Sequence, residues 1–453
     1  MNARTSPDSR ETDPHMTQLS GKQTIFALSS GKLPAGVAVI RVSGPDASTV
    51  FQKLCGALPT PRAAVVRPIT DSDGRLIDTA LVIWFAAPAS FTGEDCVEFH
   101  CHGGRAVVAA LLNELSSLPG CRLADAGEFS LRAFINGKAD LTQMEALADL
   151  IDAETESQRA IAIAQAGGAQ RALYERWRSE LLKARAYLEA DLDFSDEDDV
   201  PGSVADAANA IVNRLINDLQ QHLRTARAAE IIRDGFRVVI AGAPNAGKST
   251  LLNTLAKRDV AIVTEIAGTT RDVLDVALDI GGLKVIVSDT AGLRDSDDYV
   301  ETLGIERAYV AMESADLVLM LSDEVPSTLF SHANILHVMT KCDTDYRLEA
   351  GFDVAISCKT GFGVDTLIAA IGGQAQHSLG DVHEGVMVTR ARHAALLENA
   401  LGALRKFDAA SAVAVEFGAE ELRYAAECLG SITGVISSED VLGAIFSSFC
   451  IGK

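Results

Sequence analysis

The pattern of hydrophobic and polar positions divides the first half of the chain into an α/β part followed by helices. In residues 23–120, short apolar stretches at 36–42 and 80–85 alternate with polar turns, and 107–118 has the apolar spacing of a helix. From about residue 141 to 193, Ala, Leu, Glu, Gln and Arg dominate, with few glycines and no proline. This composition favours long helices.

The second half begins with an acidic turn at 196–199, interpreted as a solvated helix end, and a helix over 205–232. A strand at 237–241 then opens a segment in which strands and helices alternate to about residue 373. Such alternation is typical of a doubly wound parallel sheet. Helical spacing returns at 389–407, 420–433 and 438–448. Helices on both sides of an α/β segment indicate one helical domain interrupted by an inserted domain.

These patterns predict a multi-domain α+β chain, with domain boundaries where the texture changes. The predicted parts are a disordered polar tail at 1–21, an N-terminal α/β domain at 22–138, a helical domain in two pieces at 139–232 and 376–453, and the inserted α/β domain at 233–375. Either Met1 or Met16 is a possible start of translation.

Composition and charge narrow the class of protein. The chain has 453 residues, 48% of them apolar, and a net charge of −22. Its apolar runs are too short to cross a bilayer, and the polar, acid-containing N-terminus does not resemble a secretory or mitochondrial leader. A surface this acidic repels nucleic acid, so any RNA contact is expected to be local or shared with a partner.

The eight cysteines are scattered without a CxxC pair, which fits a reducing, cytoplasmic location. His100, Cys101 and His102 suggest a metal site at first sight. On a strand, however, neighbouring side chains point to opposite faces, and no second ligand cluster accompanies them. The sequence therefore predicts no metal site there.

The inserted domain carries a phosphate-binding motif. Residues 242–249 match GxxxxGK[ST] directly after a predicted strand. Such a loop wraps backbone N–H groups around phosphates, with Lys248 reaching the β- and γ-phosphates and the Ser249 hydroxyl suited to Mg²⁺. The motif predicts a P-loop α/β domain with a Ras-like parallel sheet.

Further elements follow in the order expected of a guanine-nucleotide domain. Thr269 and Thr270 lie in a candidate switch, and Asp289 follows a predicted strand as the outer-sphere Mg²⁺ carboxylate, with the Gly292 N–H available to the γ-phosphate. The Asp343 carboxylate can accept hydrogen bonds from the N1–H and the exocyclic amine of guanine, which adenine does not offer. Thr340 stands where an asparagine is usual, which weakens an expected support for this loop.

A fifth motif, Ser357–Lys359, follows a predicted strand at 354–356 and would close on the guanine O6. The predicted GTP-binding residues are those of these five motifs and their immediate neighbours. They are Asn245, Ala246, Gly247, Lys248, Ser249, Thr250, Thr264, Glu265, Ile266, Ala267, Gly268, Thr269, Thr270, Asp289, Thr290, Ala291, Gly292, Thr340, Lys341, Asp343, Ser357, Cys358 and Lys359.

Two catalytic groups common in GTPases are missing from the sequence. Leu293 occupies the position at which many GTPases have a glutamine that orients water, and no residue is recognisable as an arginine finger. A monovalent cation near Asn245 and the 263–272 loop could supply the positive charge. The residues alone leave four carboxylates open for orienting water. They are Asp295, Asp297, Asp298 and Glu301.

With their flanks, these motifs resemble the MnmE (TrmE) family of tRNA modification GTPases over residues 22–453. The matching stretches lie throughout the chain, at 36–44, 90–95, 103–104, 127–136, 146–152 and the C-terminal 449–453. The resemblance implies an N-terminal domain that binds folate and dimerises, a discontinuous helical domain and an inserted G domain. It also implies that the homodimer acts with the flavoprotein MnmG, in a heterotetramer, on C5 of the wobble uridine of certain tRNAs. The group added is aminomethyl or carboxymethylaminomethyl, with 5-formyl- or 5,10-methylene-tetrahydrofolate as the one-carbon carrier.

The resemblance also assigns residues by motif. It implies a K⁺ site of Asn245, Thr264, Ile266 and Thr269, and Mg²⁺ ligation by Ser249 with Thr270. It selects Glu301 as the water-orienting residue. It implies folate contacts by Arg41, Glu98, Lys138 and Lys453. The 30–36 stretch departs from the family's glycine-rich pattern.

Cys450 has three interpretations. It could be part of a prenylation box, although Gly452 and Lys453 fit that box poorly, or simply a buried cysteine. The resemblance instead implies a catalytic part in tRNA modification and leaves open whether the thiol is a nucleophile, a proton donor or a structural contact.

Two other functions compete with tRNA modification. A ribosome-assembly GTPase would need an attached RNA-binding module and usually a basic surface, and neither is evident. A purely regulatory switch would need no folate-like motifs and no Cys450. The sequence therefore favours a K⁺-dependent GTPase of tRNA modification.

Overall fold

The computed structural model describes residues 23–193, 204–262, 275–289, 310–324, 334–343, 348–380, 385–436 and 439–452. The chain divides into two compact units. One comprises residues 1–144 with 433–453, and the other residues 145–432. The predicted tail at 1–21 and the acidic turn at 196–199 lie outside the described residues.

The first unit is built on a six-stranded sheet of order β3-β4-β5-β2-β1-β6. Its strands are β1 Thr24–Leu28, β2 Ala35–Ser43, β3 Ala64–Thr70, β4 Leu76–Phe85, β5 Cys96–Gly103 and β6 Cys121–Leu123. All neighbouring strands are antiparallel except β1 and β6, which are parallel. The sheet is therefore mixed and mainly antiparallel.

Alternation along the strands decides which face of this sheet is buried. On β2, Ala38, Ile40 and Val42 are fully buried, while the residues between them are partly exposed. The inward set packs with helices α1 Ala47–Cys55 and α2 Arg105–Ser117. Burial of this apolar face supplies the main driving force for folding of this unit.

The C-terminal segment packs on the first unit's own helices. These helices are α3 Glu128–Ile135 and the C-terminal α13 Glu439–Ser447. The rings of Phe446 and Phe134 lie 6.1 Å apart. Gly127, at φ 66°, begins α3, and a Cβ there would lie 2.2 Å from the Phe446 carbonyl oxygen. Only glycine fits this approach.

The second unit contains the helical part. Its helices are α4 Leu141–Asp152, α5 Glu156–Ala166, α6 Ala169–Asp193, α7 Val204–Leu223, α8 Thr225–Asp234, α11 Ala391–Val413 and α12 Val415–Thr433. Apolar residues from α6, α7, α11 and α12 form one core, in which Trp177, Leu215 and Phe407 are buried.

The single helix predicted over 205–232 is two helices that meet at Arg224. Neither glycine nor proline marks the break. The Thr225 hydroxyl donates to the His222 carbonyl at 2.7 Å and accepts from the Val388 N–H at 3.0 Å. The contact with a residue 163 positions away explains why local pattern did not reveal the break.

The rest of the second unit is a six-stranded sheet of order β12-β11-β10-β7-β9-β8. Its elements are β7 Phe236–Gly242, α9 Lys248–Leu255, β8 Asp275–Ile280, β9 Leu283–Asp289, β10 Leu317–Ser322, β11 Ile335–Met339, β12 Val354–Ala355 and α10 Val364–Leu379. The strands are parallel except β8, which pairs antiparallel with β9. The predicted multi-domain α+β fold with an inserted P-loop domain is confirmed.

Within the described ranges, no helix has the length and apolar character needed to cross a membrane. The predicted domain boundaries stay predictions.

Candidate functional site

The phosphate loop joins β7 to α9. Gly242 has φ 146°, and a Cβ there would lie 2.3 Å from the Leu321 carbonyl oxygen on the neighbouring strand β10. Asn245 and Gly247 also have positive φ, of 65° and 97°. These conformations turn the loop around so that α9 starts at Lys248 with its first N–H groups facing the loop, an arrangement that binds anions.

Two side chains at the start of α9 face groups that match their predicted functions. The Lys248 ammonium donates to the carbonyls of Gly242 and Ala243 at 2.8 and 2.9 Å, so it lies over the loop. The Ser249 hydroxyl donates to Asp289 Oδ2 at 2.7 Å. A hydroxyl beside a carboxylate at a phosphate loop provides the hard oxygen ligands that Mg²⁺ prefers, so the residues present fit this ion.

Asp289 lies at the end of β9, next to β7 in the parallel part of the sheet, and is almost fully buried. The carboxyl ends of these strands meet at the edge from which the phosphate loop leaves, which explains how residues 40 positions apart come together.

A second cluster gathers the predicted base-reading residues. Ser357, fully buried, donates from its hydroxyl to Asp343 Oδ1 at 2.6 Å and accepts from the Thr360 N–H at 3.1 Å. The Asp343 N–H donates to the Lys341 carbonyl at 2.8 Å, and Lys341 has φ 62°. One carboxylate oxygen is thus oriented by Ser357, in a loop shaped to present the side chain.

Thr340 supports this loop in place of the usual asparagine. It is buried, and its N–H donates to the Ser322 carbonyl at 2.9 Å, with a longer contact of 3.4 Å from its hydroxyl. Lys341 pairs with Asp323 at 2.6 Å. Cys358 is half-buried, and burial raises the pKa of its thiol. These contacts tie the loop to β10.

The remaining predicted nucleotide-site residues divide into two groups. Ala246 is buried in the loop, while Thr250 and Lys359 are exposed. Eleven predicted residues, including the water-orienting candidate, lie outside the described residues: Thr264, Glu265, Ile266, Ala267, Gly268, Thr269, Thr270, Thr290, Ala291, Gly292 and Glu301. Lys453 also lies outside them. The structure brings Ser249 to Asp289 and Ser357 to Asp343, and leaves these others as predictions.

A separate polar group lies on the first unit's sheet. Arg41 on β2 pairs in register with Glu98 on β5, and its Nε donates to Glu98 Oε1 at 3.1 Å. The guanidinium lies over the rings of Phe91 and Phe129, with centroids at 5.1 and 5.7 Å. His100 Nε2 lies 3.3 Å from the other Glu98 oxygen. This group combines a cation, a carboxylate and aromatic surface, the chemistry that a pterin with a carboxylate tail requires.

His100, Phe91 and Phe129 were missed as site residues by the sequence prediction. The spacing of Glu98 and His100, two apart on a strand, was a signal for the histidine because such residues share a face. Phe129 is far away along the chain, and only the fold brings it to Arg41.

The other predicted folate residue, Lys138, lies against the 88–93 loop. Its ammonium donates to the Pro88 carbonyl at 2.9 Å, and its stem lies near the Gly93 backbone.

Cys450 is exposed and is held by its neighbours against the first unit. Its carbonyl accepts from the Gly127 N–H at 3.4 Å, and Ile451 bridges to Ala126. A Cβ at Gly452 would lie 2.3 Å from the Leu28 carbonyl oxygen, so only glycine fits there. The backbone of Cys450 thus lies beside the start of α3, the helix that carries Phe129 under Arg41.

Among the described residues, no group of three or more His, Cys, Asp or Glu side chains is arranged to hold a metal ion. His102 is exposed and pairs with Asp78 at 2.8 Å, whereas Cys101 is buried on the other face of β5.

Family comparisons match nearly the whole chain. The model described as the MnmE helical domain matches residues 141–450, and the model described as the GTP-binding protein TrmE N-terminus matches residues 24–138. A tRNA modification GTPase MnmE of Mesorhizobium japonicum is 52% identical over 95% of this chain and 99% of its own. That of Brucella anthropi is 48% identical over 97% and 100%. Among solved structures, the G domain of the T. maritima FeoB iron transporter is 25% identical, covering 31% of this chain and 99% of its own with a TM-score of 0.24.

Proposed function

This chain belongs to the MnmE family of tRNA modification GTPases, and from this premise we propose a K⁺-dependent enzyme of wobble-uridine modification. In this proposal GTP hydrolysis drives addition of an aminomethyl or carboxymethylaminomethyl group to C5 of the wobble uridine of certain tRNAs. The flavoprotein MnmG is the partner, and a tetrahydrofolate derivative is the one-carbon carrier. The enzyme hydrolyses GTP to GDP and phosphate.

The proposed hydrolysis depends on two cations. Ser249 and Thr270 would hold Mg²⁺, with Asp289 as the outer-sphere carboxylate, which the contact between Ser249 and Asp289 supports. Asn245, Thr264, Ile266 and Thr269 would hold K⁺. Since Leu293 cannot orient water, Glu301 would orient the attacking water. K⁺ would supply the positive charge that stabilises the negative charge developing on the phosphate.

The observation that carries the modification proposal is the placement of Cys450 in the same unit as Arg41 and Glu98. The backbone carbonyl of Cys450 accepts from the Gly127 N–H at the start of α3, and Phe129 on that helix lies beneath the Arg41 guanidinium. Arg41, Glu98, Lys138 and Lys453 are the proposed folate contacts. A thiolate is a good nucleophile and a thiol a usable proton donor, so a cysteine beside a folate suits a one-carbon transfer.

Exposed apolar residues on the sheet face that also carries Glu98 and His100 support the proposed homodimer. Val66 on β3 and Leu81 on β4 are register partners, 64% and 37% exposed, and Val37 on β2 is 56% exposed. A second copy of this chain would bury them. A heterotetramer with MnmG would then provide the contact with tRNA, because the chain's own charge of −22 is unfavourable for RNA. We also propose a cytoplasmic location and the domain boundaries predicted from the sequence.

The test is Cys450→Ser in cells that lack the wild-type protein. A hydroxyl ionises far less readily than a thiol, so wobble-uridine modification, measured by nucleoside mass spectrometry of tRNA, should be lost or sharply reduced. GTP affinity and K⁺-stimulated hydrolysis of the purified variant should stay at the wild-type level.

Cys121→Ser is the matched control, because Cys121 is a partly buried cysteine of the same unit. It should leave modification unchanged. Normal modification in Cys450→Ser would reduce Cys450 to a packing residue and remove the main support for the proposed chemistry.

A further inference from the structure

The turn between β8 and β9 is held by the helical part of the same unit. Gly281 and Gly282 form this turn with φ of 63° and 84°. Positive φ at both central residues matches the twist of a tight hairpin and favours glycine. The turn extends from the sheet to the first turn of α5.

Two contacts join the hairpin to α5. The Gly282 carbonyl accepts from the Ser157 N–H at 3.1 Å. Ser157 is in the first turn of α5, where backbone N–H groups have no acceptor within the helix, so the hairpin acts as part of the helix cap. The Lys284 ammonium lies 2.6 Å from Glu154 Oε2, and each side chain is less than a quarter exposed.

The same turn of α5 also holds the entry to the nucleotide domain. Gln158 accepts from the Glu154 and Thr155 N–H groups through its side-chain oxygen, at 2.8 and 3.1 Å. Its amide donates to the Arg233 carbonyl at 2.8 Å. Arg233 is near the end of α8, which leads into β7 and the phosphate loop. One helix start therefore contacts both the hairpin and the chain segment that precedes the loop.

The opposite end of β9 lies at the nucleotide site. Lys284 and Asp289 are five residues apart on this strand, roughly 17 Å at the rise of a β-strand. Asp289 accepts from the Ser249 hydroxyl, and β9 is paired on both sides, with β7 and β8. A strand paired on both edges moves as a unit, so a displacement at Asp289 reaches Lys284.

We propose that Lys284 and Glu154, with the Gly282–Ser157 hydrogen bond, form a positioning clasp that couples the nucleotide site to α5. Through the clasp, a movement of β9 at Asp289 displaces the hairpin turn and with it the start of α5. Exchange of GDP for GTP changes the charge and the ligands beside Asp289, and the clasp transmits the resulting shift to α5. Coupling between two sites is reciprocal, so the clasp must also bias the choice between GDP and GTP.

The experiment is amide hydrogen exchange on the full chain, with GDP or with a non-hydrolysable GTP analogue, in Mg²⁺ and K⁺. In the wild type, the exchange rates of the α5 amides should differ by about fivefold between the two nucleotides. This is the size expected when one modest contact changes the free energy of a local opening. Lys284→Ala and Glu154→Gln should each abolish most of this difference, while both variants still bind GDP.

The charge-reversed pair Lys284→Glu with Glu154→Lys separates coupling from simple damage to the fold, because it restores the ion pair and should restore the nucleotide-dependent difference. Arg258→Ala is the matched control, since Arg258 pairs with Asp365 at 2.8 Å and neither residue belongs to the clasp. It should retain the wild-type difference. A nucleotide-dependent difference that persists in Lys284→Ala, or that is absent from the wild type, would overturn the proposal.

Discussion

Ser249 Oγ and Asp289 Oδ2 lie 2.7 Å apart, although 40 residues separate them in the sequence. The contact joins the first turn of α9 to the end of β9. It brings the predicted Mg²⁺ ligand and the predicted outer-sphere carboxylate to one point beside the phosphate loop. Hydrolysis should therefore be sensitive to the charge on Asp289.

Asp289→Asn keeps the size of the side chain and removes its negative charge. We expect single-turnover GTP hydrolysis to fall by at least about tenfold, and the Mg²⁺ concentration for half-maximal rate to rise, because the carboxylate no longer stabilises the hydrated ion. Asp353→Asn is the control, since Asp353 accepts from the His337 N–H before the start of β12, at the other end of the parallel strands from the phosphate loop. Equal Mg²⁺ dependence in Asp289→Asn and the wild type would exclude Asp289 from the metal site.

The Asp343 carboxylate is expected to choose the base. Asp343→Asn should shift preference from GTP toward xanthosine triphosphate, because the new amide can donate to the O2 of xanthine. Ser357→Ala removes only the hydroxyl that orients Asp343, so it should weaken binding of GTP without creating a preference for xanthosine triphosphate. Competition binding with the two nucleotides measures both effects. Unchanged selectivity in Asp343→Asn would show that another group reads the base.

Asn245 should determine the response to K⁺. Hydrolysis by the wild type should be faster in K⁺ than in Na⁺ at equal ionic strength, and Asn245→Ala should remove the difference. Since Asn245 has φ 65°, alanine there also strains the backbone by about 1 kcal/mol or more. Asn245→Gly avoids that strain and still lacks the side-chain oxygen.

The two Asn245 variants should therefore lose the K⁺ effect equally. Loss in Asn245→Ala but not in Asn245→Gly would assign the effect to the loop backbone rather than to a side-chain ligand. Equal rates of the wild type in both salts would contradict the cation proposal.

A buried histidine should make the helical part sensitive to acid. His222 contacts Tyr174 OH at 3.0 Å, and burial lowers its pKa to about 4 from an ordinary value of 6.5. Between these values the unfolded chain binds more protons than the folded one, so stability is complete above pH 6.5 and falls as the pH drops toward 4. The full effect is about 3 kcal/mol in the free energy of unfolding.

His222→Gln should flatten this pH dependence. Trp177 reports on the region, since its ring lies 5.4 Å from that of His222, and a Trp84→Phe background removes the only other tryptophan. Denaturant unfolding followed by fluorescence at several pH values measures the slope. His377→Gln, at an exposed histidine, should keep the wild-type slope. A slope in His222→Gln equal to that of the wild type would assign the acid sensitivity to other groups, such as the buried His393.

The buried carboxylate of Glu145 affects stability in a lower pH range than His222 does. Burial alone would raise its pKa, but the hydrogen bond with His393 and the positive charges of Arg392 and Arg390 lower it to about 2. Its contribution to stability is therefore present above pH 4.5 and is lost only as the pH falls toward 2. The loss below pH 6.5 is shared by His222 and His393, since burial lowers the pKa of both imidazoles.

Local motifs alone predicted the phosphate loop, the positions of Asp289 and Asp343, and the fold of the inserted domain. These motifs are short segments whose backbone conformation depends on residues close in the sequence, such as Gly242 and Gly247. The spacing of residue types is therefore enough to locate them. The family could also be recognised from such segments. Residues such as Lys248 and Ser249 follow directly, because a helix start places their side chains beside the loop.

Tertiary structure decided the features that depend on distant pairing. Three such features depend on residues more than 50 positions apart in the sequence. They are the register that places Arg41 beside Glu98, the break at Arg224 and the contact of Gly282 with α5. No local pattern specifies these pairings, because they follow from how the apolar faces of whole elements pack to exclude water.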